Sequence, residues 1–307
     1  ITVPLKDFRY DLAAIKARIT SKARIIFIAN PNNPTGTYVN KQEVERFLSG
    51  FPEDILVVFY QAYLEFVEKK DFPRTLEDAR KRKNVIVLRT FSKIYGLAGL
   101  RIGYAIANQE CIAYLERARQ PFNVNMLAQE AARAALSDTD FVNQTKKMVS
   151  EGKRYLEREL KGMGLEFIPS AANFILIDLK EDGLKVSKEL LKKGVIDRDM
   201  RQYGLNNFIR VTVGLKKENK KFDDVLKLPE IPKLPDMEEE PKKEIRQLPK
   251  FPNSSLGQKF SQNTIKDAIT GKKEERVFAN EFVEDEMQMM RGPQLRMPLP
   301  PREKLSI

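Results

Sequence analysis

Thr90-Phe-Ser-Lys-Ile-Tyr-Gly-Leu-Ala-Gly-Leu-Arg101 is the stretch whose reading decides the fold. It directly follows a short apolar run, Val85–Leu88, that reads as a buried strand. Lys93 therefore sits in a hydroxyl- and glycine-rich turn at the C-terminal end of a strand, where open α/β sheets place their ligands. A lysine in that position can condense with an aldehyde. Thr90, Ser92 and Arg101 add two hydroxyls and a guanidinium, a donor set that suits a phosphate. The turn thus fits a small molecule that carries both an aldehyde and a phosphate.

Working outward, β-branched apolar runs at Arg24–Ala29, Ile55–Phe59 and Gly103–Ala107 read as further buried strands. Between the first two, Asn40 with Glu43 three residues on marks a capped helix start. Strands alternating with helices predict an α/β layer with a mostly parallel sheet over residues 1–121. An alanine-rich helix, Met126–Leu136, is expected to be fully buried and to link two domains within 122–138. Asp138 or Thr139 caps a long helix that runs to about Met163. A smaller α+β unit over 139–228 then follows. It has strands at Leu165–Ile168, Asn173–Leu179 and Phe208–Val213, and a helix at Lys185–Lys193 stopped by Gly194.

Ten of the 17 prolines fall in residues 229–307, which predicts an extended, largely disordered tail. Within it, Lys272–Met290 has helical composition and could dock on a partner. That tail holds 14 Lys+Arg and 14 Asp+Glu, so the net charge of +11 belongs to residues 1–228. The bases there are dispersed along amphipathic helices rather than clustered with aromatics, which argues against nucleic acid. With no histidine in the chain, neither a Ser-His-Asp nor a Cys-His mechanism nor a histidine metal site can be built from it. One cysteine, Cys111, rules out an internal disulfide framework and fits a cytoplasmic setting. No apolar run is long enough to span a bilayer. The chain starts without Met or a signal-peptide pattern and reads as beginning inside a longer parent.

Two more loops follow strands of the same sheet. Ala29-Asn-Pro-Asn-Asn-Pro-Thr-Gly36 closes the first strand, and Tyr63 follows the second. An amide and a phenol at those ends can both donate to one ring oxygen. Together these runs resemble the fold-type I pyridoxal phosphate enzymes, and specifically the histidinol-phosphate aminotransferase family. The matching stretches are Asn30–Gly36, Ala62–Phe66, Leu88–Tyr104, Arg119–Asn125, Ala172–Phe174, Tyr203–Leu205 and Ile209–Gly214, spread over about residues 1–227.

The resemblance implies an incomplete large domain with a mostly parallel sheet, a small α+β domain and the Pro-rich tail. It implies pyridoxal phosphate as cofactor, an amino donor and a 2-oxo acid as substrates, and a homodimer of the full-length parent. Lys93 looks like the lysine that binds the cofactor and moves the substrate α-proton. Thr90, Ser92 and Arg101 look like its phosphate holders, and Asn33 and Tyr63 like the donors to its ring oxygen. Arg210 is similar to the arginine that pairs with the substrate carboxylate, and Asn173 to a neighbouring substrate contact.

The chain departs from the family's pattern in places. Where the family has Asp-Glu-Ala-Tyr, this sequence has Tyr60-Gln-Ala-Tyr63. The family's aspartate pairs with the protonated ring nitrogen, and a phenol with a reference pKa of about 10 supplies no fixed charge there. Strongly reduced turnover is therefore expected. The family's N-terminal part, with its own phosphate-binding turn, lies before Ile1. Asp197 falls where the family places an apolar residue, and burial would require a partner such as Arg198 or Arg201. Two alternatives accompany the transamination reading: a decarboxylase of a phosphorylated amino acid, and a catalytically impaired remnant that works as a binding protein.

Overall fold

The computed structural model describes residues 1–228; the expected tail at 229–307 and the helix at Lys272–Met290 lie outside them. Two four-stranded sheets organise these residues. The first has the order β1-β2-β3-β4, with β1 Ile25–Ala29, β2 Leu56–Tyr60, β3 Val85–Thr90 and β4 Gly103–Ala107. β1, β2 and β3 run parallel and β4 closes the edge antiparallel, giving the mostly parallel sheet expected.

The period of two along these strands decides what they bury. Ile28, Val57, Phe59, Val85 and Val87 share one core with α1 (Leu12–Ala17) and α2 (Lys41–Leu48). At the start of α2, Asn40 Oδ1 accepts from Glu43 N (2.9 Å) and Glu43 Oε2 from Asn40 N (2.6 Å), a complete capping box. Phe27, on the opposite face of β1, is exposed, so this strand is not the wholly buried one its apolar run predicts. Two helices, α3 (Thr75–Lys81) and α4 (Gln109–Ala118), complete the first half.

The alanine-rich segment is helix α5, Met126–Ser137. Only Ala128 and Ala132 are buried, while Met126, Leu127 and Leu136 are exposed. The expectation of full burial is therefore corrected: Ala128 and Ala132 face the core, while the large residues and Ala134 face outward. Asp138 is the cap of α6, Thr139–Gly162, its carboxylate accepting from Phe141 N (2.9 Å).

The second sheet is antiparallel, with the order β5-β6-β8-β7: β5 Glu166–Ile168, β6 Phe174–Asp178, β7 Arg198–Asp199 and β8 Phe208–Thr212. It packs on α6, α7 (Gly183–Lys192) and α8 (Lys216–Leu226). Gly194 takes positive φ (72°) just after α7, as a helix-stopping glycine does. Asp197 is half-buried and takes its hydrogen bond from Ser187 Oγ (2.6 Å), while Arg201 pairs with Asp199 (3.6 Å). Arg201, one of the two arginines expected as the partner of Asp197, thus pairs with Asp199 instead. Desolvation pushes the Asp197 carboxyl up to about 6, against the lowering by Ser187.

Candidate active site

Three loops leave the C-terminal ends of β1, β2 and β3 side by side. The register sets Ala29 opposite Tyr60 and Tyr60 opposite Leu88, so the strands end at one level. Asn30 N donates to Tyr60 O and Gln61 N to Leu88 O, both at 2.9 Å, which carries the ladder one residue into the loops.

The first loop contains three asparagines, and hydrogen bonding sorts them. The Asn30 amide is spent on Val39, donating to its carbonyl (3.1 Å) and accepting from its N–H (2.9 Å). Asn32 donates to Thr35 Oγ1 (2.8 Å). Both are buried; Asn33 alone is exposed, and its Oδ1 accepts from the Arg210 guanidinium. Gly36 closes the turn at φ 74°, where a Cβ would lie 2.2 Å from Ser170 Oγ. Its carbonyl accepts from Ala171 N (2.7 Å), and Lys153, from α6, holds the Ser170 carbonyl (3.2 Å).

The second loop places Tyr63, 6% exposed, edge-on to Phe174 with centroids 5.2 Å apart. The third brings Lys93 Nζ to 5.5 Å from the Tyr63 ring centroid. Two backbone bonds close the lysine turn, Gly96 N to Lys93 O and Leu97 N to Phe91 O, both 3.0 Å. Thr90 Oγ1 accepts from Ser92 N (3.0 Å), and a hydroxyl that accepts there still has its proton to give an anion. Phe91 N donates to Ile102 O (3.1 Å), which brings Arg101 level with Ser92. Arg101 adopts a left-handed backbone (φ 50°), and its Nη1 donates to Ala98 O (2.9 Å).

Arg210 comes from β8, in the other sheet. It is buried, with its guanidinium carbon 5.0 Å from the Phe174 centroid. Its Nε is buried with no hydrogen-bond partner among the described residues, so one donor of the fork is unspent. Lys93, Tyr63, Asn33 and Arg210 therefore form one contiguous set around Phe174.

The sequence singled out Asn173 from the Ala172–Phe174 run, whereas Phe174 is the residue between the rings and the guanidinium. Asn173 contributes through its backbone, its carbonyl accepting from Val213 N (2.9 Å). The signal for Phe174 was its place within a matching run, but an aromatic inside a strand reads first as core. Tyr60 ends β2 between β1 and β3, half-buried against the core that contains Tyr63 and Phe174.

A separate cavity of about 530 Å³ lies between the N-terminal turn and α2, lined in part by Lys6, Arg9, Glu43 and Arg46. Its Arg9 and Glu43 are paired at 2.9 Å. None of the strand-end residues lines it. Among the described residues, no group of three or more His, Cys, Asp or Glu could hold a metal ion, and no helix is long and apolar enough to cross a membrane.

Residues 1–222 match the family model for aminotransferase class I and II. The chain belongs to that family. Among similar proteins, a histidinol-phosphate aminotransferase of Moorella thermoacetica is 48% identical over 223 residues, which are 72% of this chain and 58% of that protein. A second, from Carboxydothermus hydrogenoformans, is 47% identical over 227 residues, 74% of this chain and 63% of its own length. This aminotransferase-family chain thus spans about three fifths of the relatives it matches.

Solved structures agree. Histidinol-phosphate aminotransferase from Sinorhizobium meliloti in complex with pyridoxal-5'-phosphate matches with a TM-score of 0.69 and 31% identity, over 74% of this chain and 62% of that one. L-threonine-O-3-phosphate decarboxylase from Porphyromonas gingivalis matches with a TM-score of 0.60 and 28% identity, over 68% and 66%. The class I and II aminotransferase family therefore accounts for both sheets and for the loops that carry Lys93, Tyr63 and Asn33.

Proposed function

We propose that this chain derives from a pyridoxal-phosphate-dependent aminotransferase that moves an amino group between histidinol phosphate and 2-oxoglutarate. The observation that carries the proposal is the contiguous group Lys93–Tyr63–Phe174–Arg210–Asn33. The names of the similar proteins favour histidinol phosphate over the phosphothreonine of the decarboxylase relative. A cytoplasmic setting and a homodimeric parent accompany the same reading.

The donor set fits pyridoxal phosphate on most sides. Lys93 would hold the aldehyde carbon, with Thr90, Ser92 and Arg101 turned to the phosphate and Asn33 and Tyr63 to the ring oxygen. Asn173, beside Phe174, would flank the substrate. When bound, the cofactor supplies an electron sink for the α-carbon of an amino acid. The Lys93 amine, once released by the substrate, takes the α-proton at Nζ and returns it on the other side of the exchange. Arg210 orients the substrate by its anionic end, the carboxylate of 2-oxoglutarate or the phosphate of histidinol phosphate. Its unspent Nε provides the second arm of a bidentate contact. Tyr63 and Phe174 wall the site and exclude water from the exchange.

On one side the fit fails. Tyr60 ends β2 where the resemblance calls for a carboxylate, and a neutral phenol cannot hold a proton on the ring nitrogen through charge. A second reading, an impaired relative retained for binding, is favoured by that substitution and by Gln61 beside it.

Visible absorption on adding excess pyridoxal phosphate, lost in Lys93→Ala, tests the assignment. A band that persists in Lys93→Ala sinks it. If the band forms, histidinol phosphate is expected to bleach it and 2-oxoglutarate to restore it. A band inert to both supports the binding reading instead.

A further inference from the structure

Gln61 follows Tyr60 and is 1% exposed, with its Oε1 at 3.5 Å from Arg89 Nη2, the long limit of a hydrogen bond. Its Nε2 is buried with no partner among the described residues, and so is the Nε of Arg89. Two buried donors are thus left unmet at one contact, where a single acceptor-rich group would serve both. Turning the amide over does not help, since it would present Nε2 to the guanidinium and set donor against donor.

The surroundings do not make up the shortfall. The nearby carboxylate, Glu65, is pushed above the usual range by burial, with Arg89 and Lys146 lowering it through space. Tyr95, affected by the same Glu65 and Arg89, is raised by burial in turn. The place of the contact matters more than its size. Gln61 N already joins β2 to Leu88 of β3 at 2.9 Å, and Arg89 is the residue before Thr90. Gln61 and Arg89 therefore tie together the roots of the two loops that carry Tyr63 and Lys93.

We infer that Gln61 leaves the Arg89 guanidinium incompletely met, and that this loosens the seating of the Lys93 turn independently of Tyr60. Both residues are positioning residues: neither is placed to touch substrate. A carboxylate at 61 offers acceptors to Nη2 and Nε in the bidentate geometry a guanidinium prefers. Burying a new charge is costly in general, but here the opposite charge is already in place and only half met.

The test is a double-mutant cycle on the full chain without cofactor, reading the thermal midpoint of Gln61→Glu, Arg89→Met and the pair. Gln61→Glu is expected to raise the midpoint by about 2–4 °C when Arg89 is present. In the Arg89→Met background the same change should lower it, because the carboxylate is then buried alone. An equal shift in both backgrounds, or a fall in the first, overturns the pairing.

The positioning half rests on the cofactor reading above. Titration with pyridoxal phosphate, followed by the Lys93-dependent band, should half-saturate at an at least threefold lower concentration in Gln61→Glu, but not when Arg89→Met is also present. Unchanged affinity, with the midpoint reversed as expected, overturns the positioning role and leaves a structural pair. Absence of the band in every variant is a failure of the cofactor reading, and the unfolding comparison then decides the pairing alone.

Discussion

At the scale of single residues, Tyr60 is the position expected to limit the proposed chemistry. Restoring a carboxylate in Tyr60→Asp should raise the rate of amino-group exchange by about tenfold or more, equivalent to at least about 1.4 kcal/mol of barrier. Unchanged single-turnover rates would show that ring-nitrogen charge is not what limits this chain. Arg210→Lys keeps the charge but loses the planar fork over Phe174. The expected outcome is a KM for the amino donor raised about tenfold or more, with the Lys93-dependent band intact.

Asp197 makes a prediction in pH. Its carboxyl is raised to about 6 by burial, so the protonated form favours the fold. The stability it contributes is fully present below its unfolded pKa and is lost as pH rises through about 6. Asp197→Asn, which can still accept from Ser187, should raise the unfolding midpoint at pH 7 and flatten its decline between about pH 4 and 6. A decline of unchanged slope would exclude Asp197 as its source.

Lys93, Asn33 and Tyr63, which the structure brings together, stood out in the sequence because they occupy loops, where chemistry rather than packing selects the residue. Phe174 did not, since one aromatic ring serves core and site together.

At the scale of elements, legibility followed capping. The Asn40 box and the Asp138 cap announced α2 and α6, and both helices start where those residues place them. Asn40→Ala should cost about 1 kcal/mol in urea denaturation, since it strips one acceptor from the first turn. α8 went unread because Leu215 precedes it; Glu218 reaches back instead, accepting from Leu215 N at 2.7 Å. β7, two residues long, is too short for any period to register. For α5, composition revealed the helix but not its orientation, because alanine suits both a crowded interface and a solvent face.

At the scale of the whole described chain, one core crosses the boundary we propose between the units 1–121 and 139–228. Ala62, Tyr63, Phe66 and Ile94, from the strand-end loops of the first sheet, pack with Leu156, Phe174, Ile175 and Phe222 of the second half. Leu156→Ala, in the C-terminal half of α6, is accordingly expected to cost about 2–5 kcal/mol and to disturb both halves. Near-UV dichroism and Lys93-dependent absorption should be lost together in one transition. Two separated transitions would mean that the halves stand alone.

Gly36 and Ser170 meet at that same boundary, and their fit has an evolutionary corollary. Substitution at the two positions should be tolerated unequally. Shrinking Ser170 to glycine removes its Oγ and Cβ but leaves its Cα 3.1 Å from a Cβ at 36, and position 36 would still hold a positive φ that costs an L side chain about 1–3 kcal/mol. A library randomised at both positions and selected for folding should therefore return glycine at 36 almost without exception, and a range of small residues at 170.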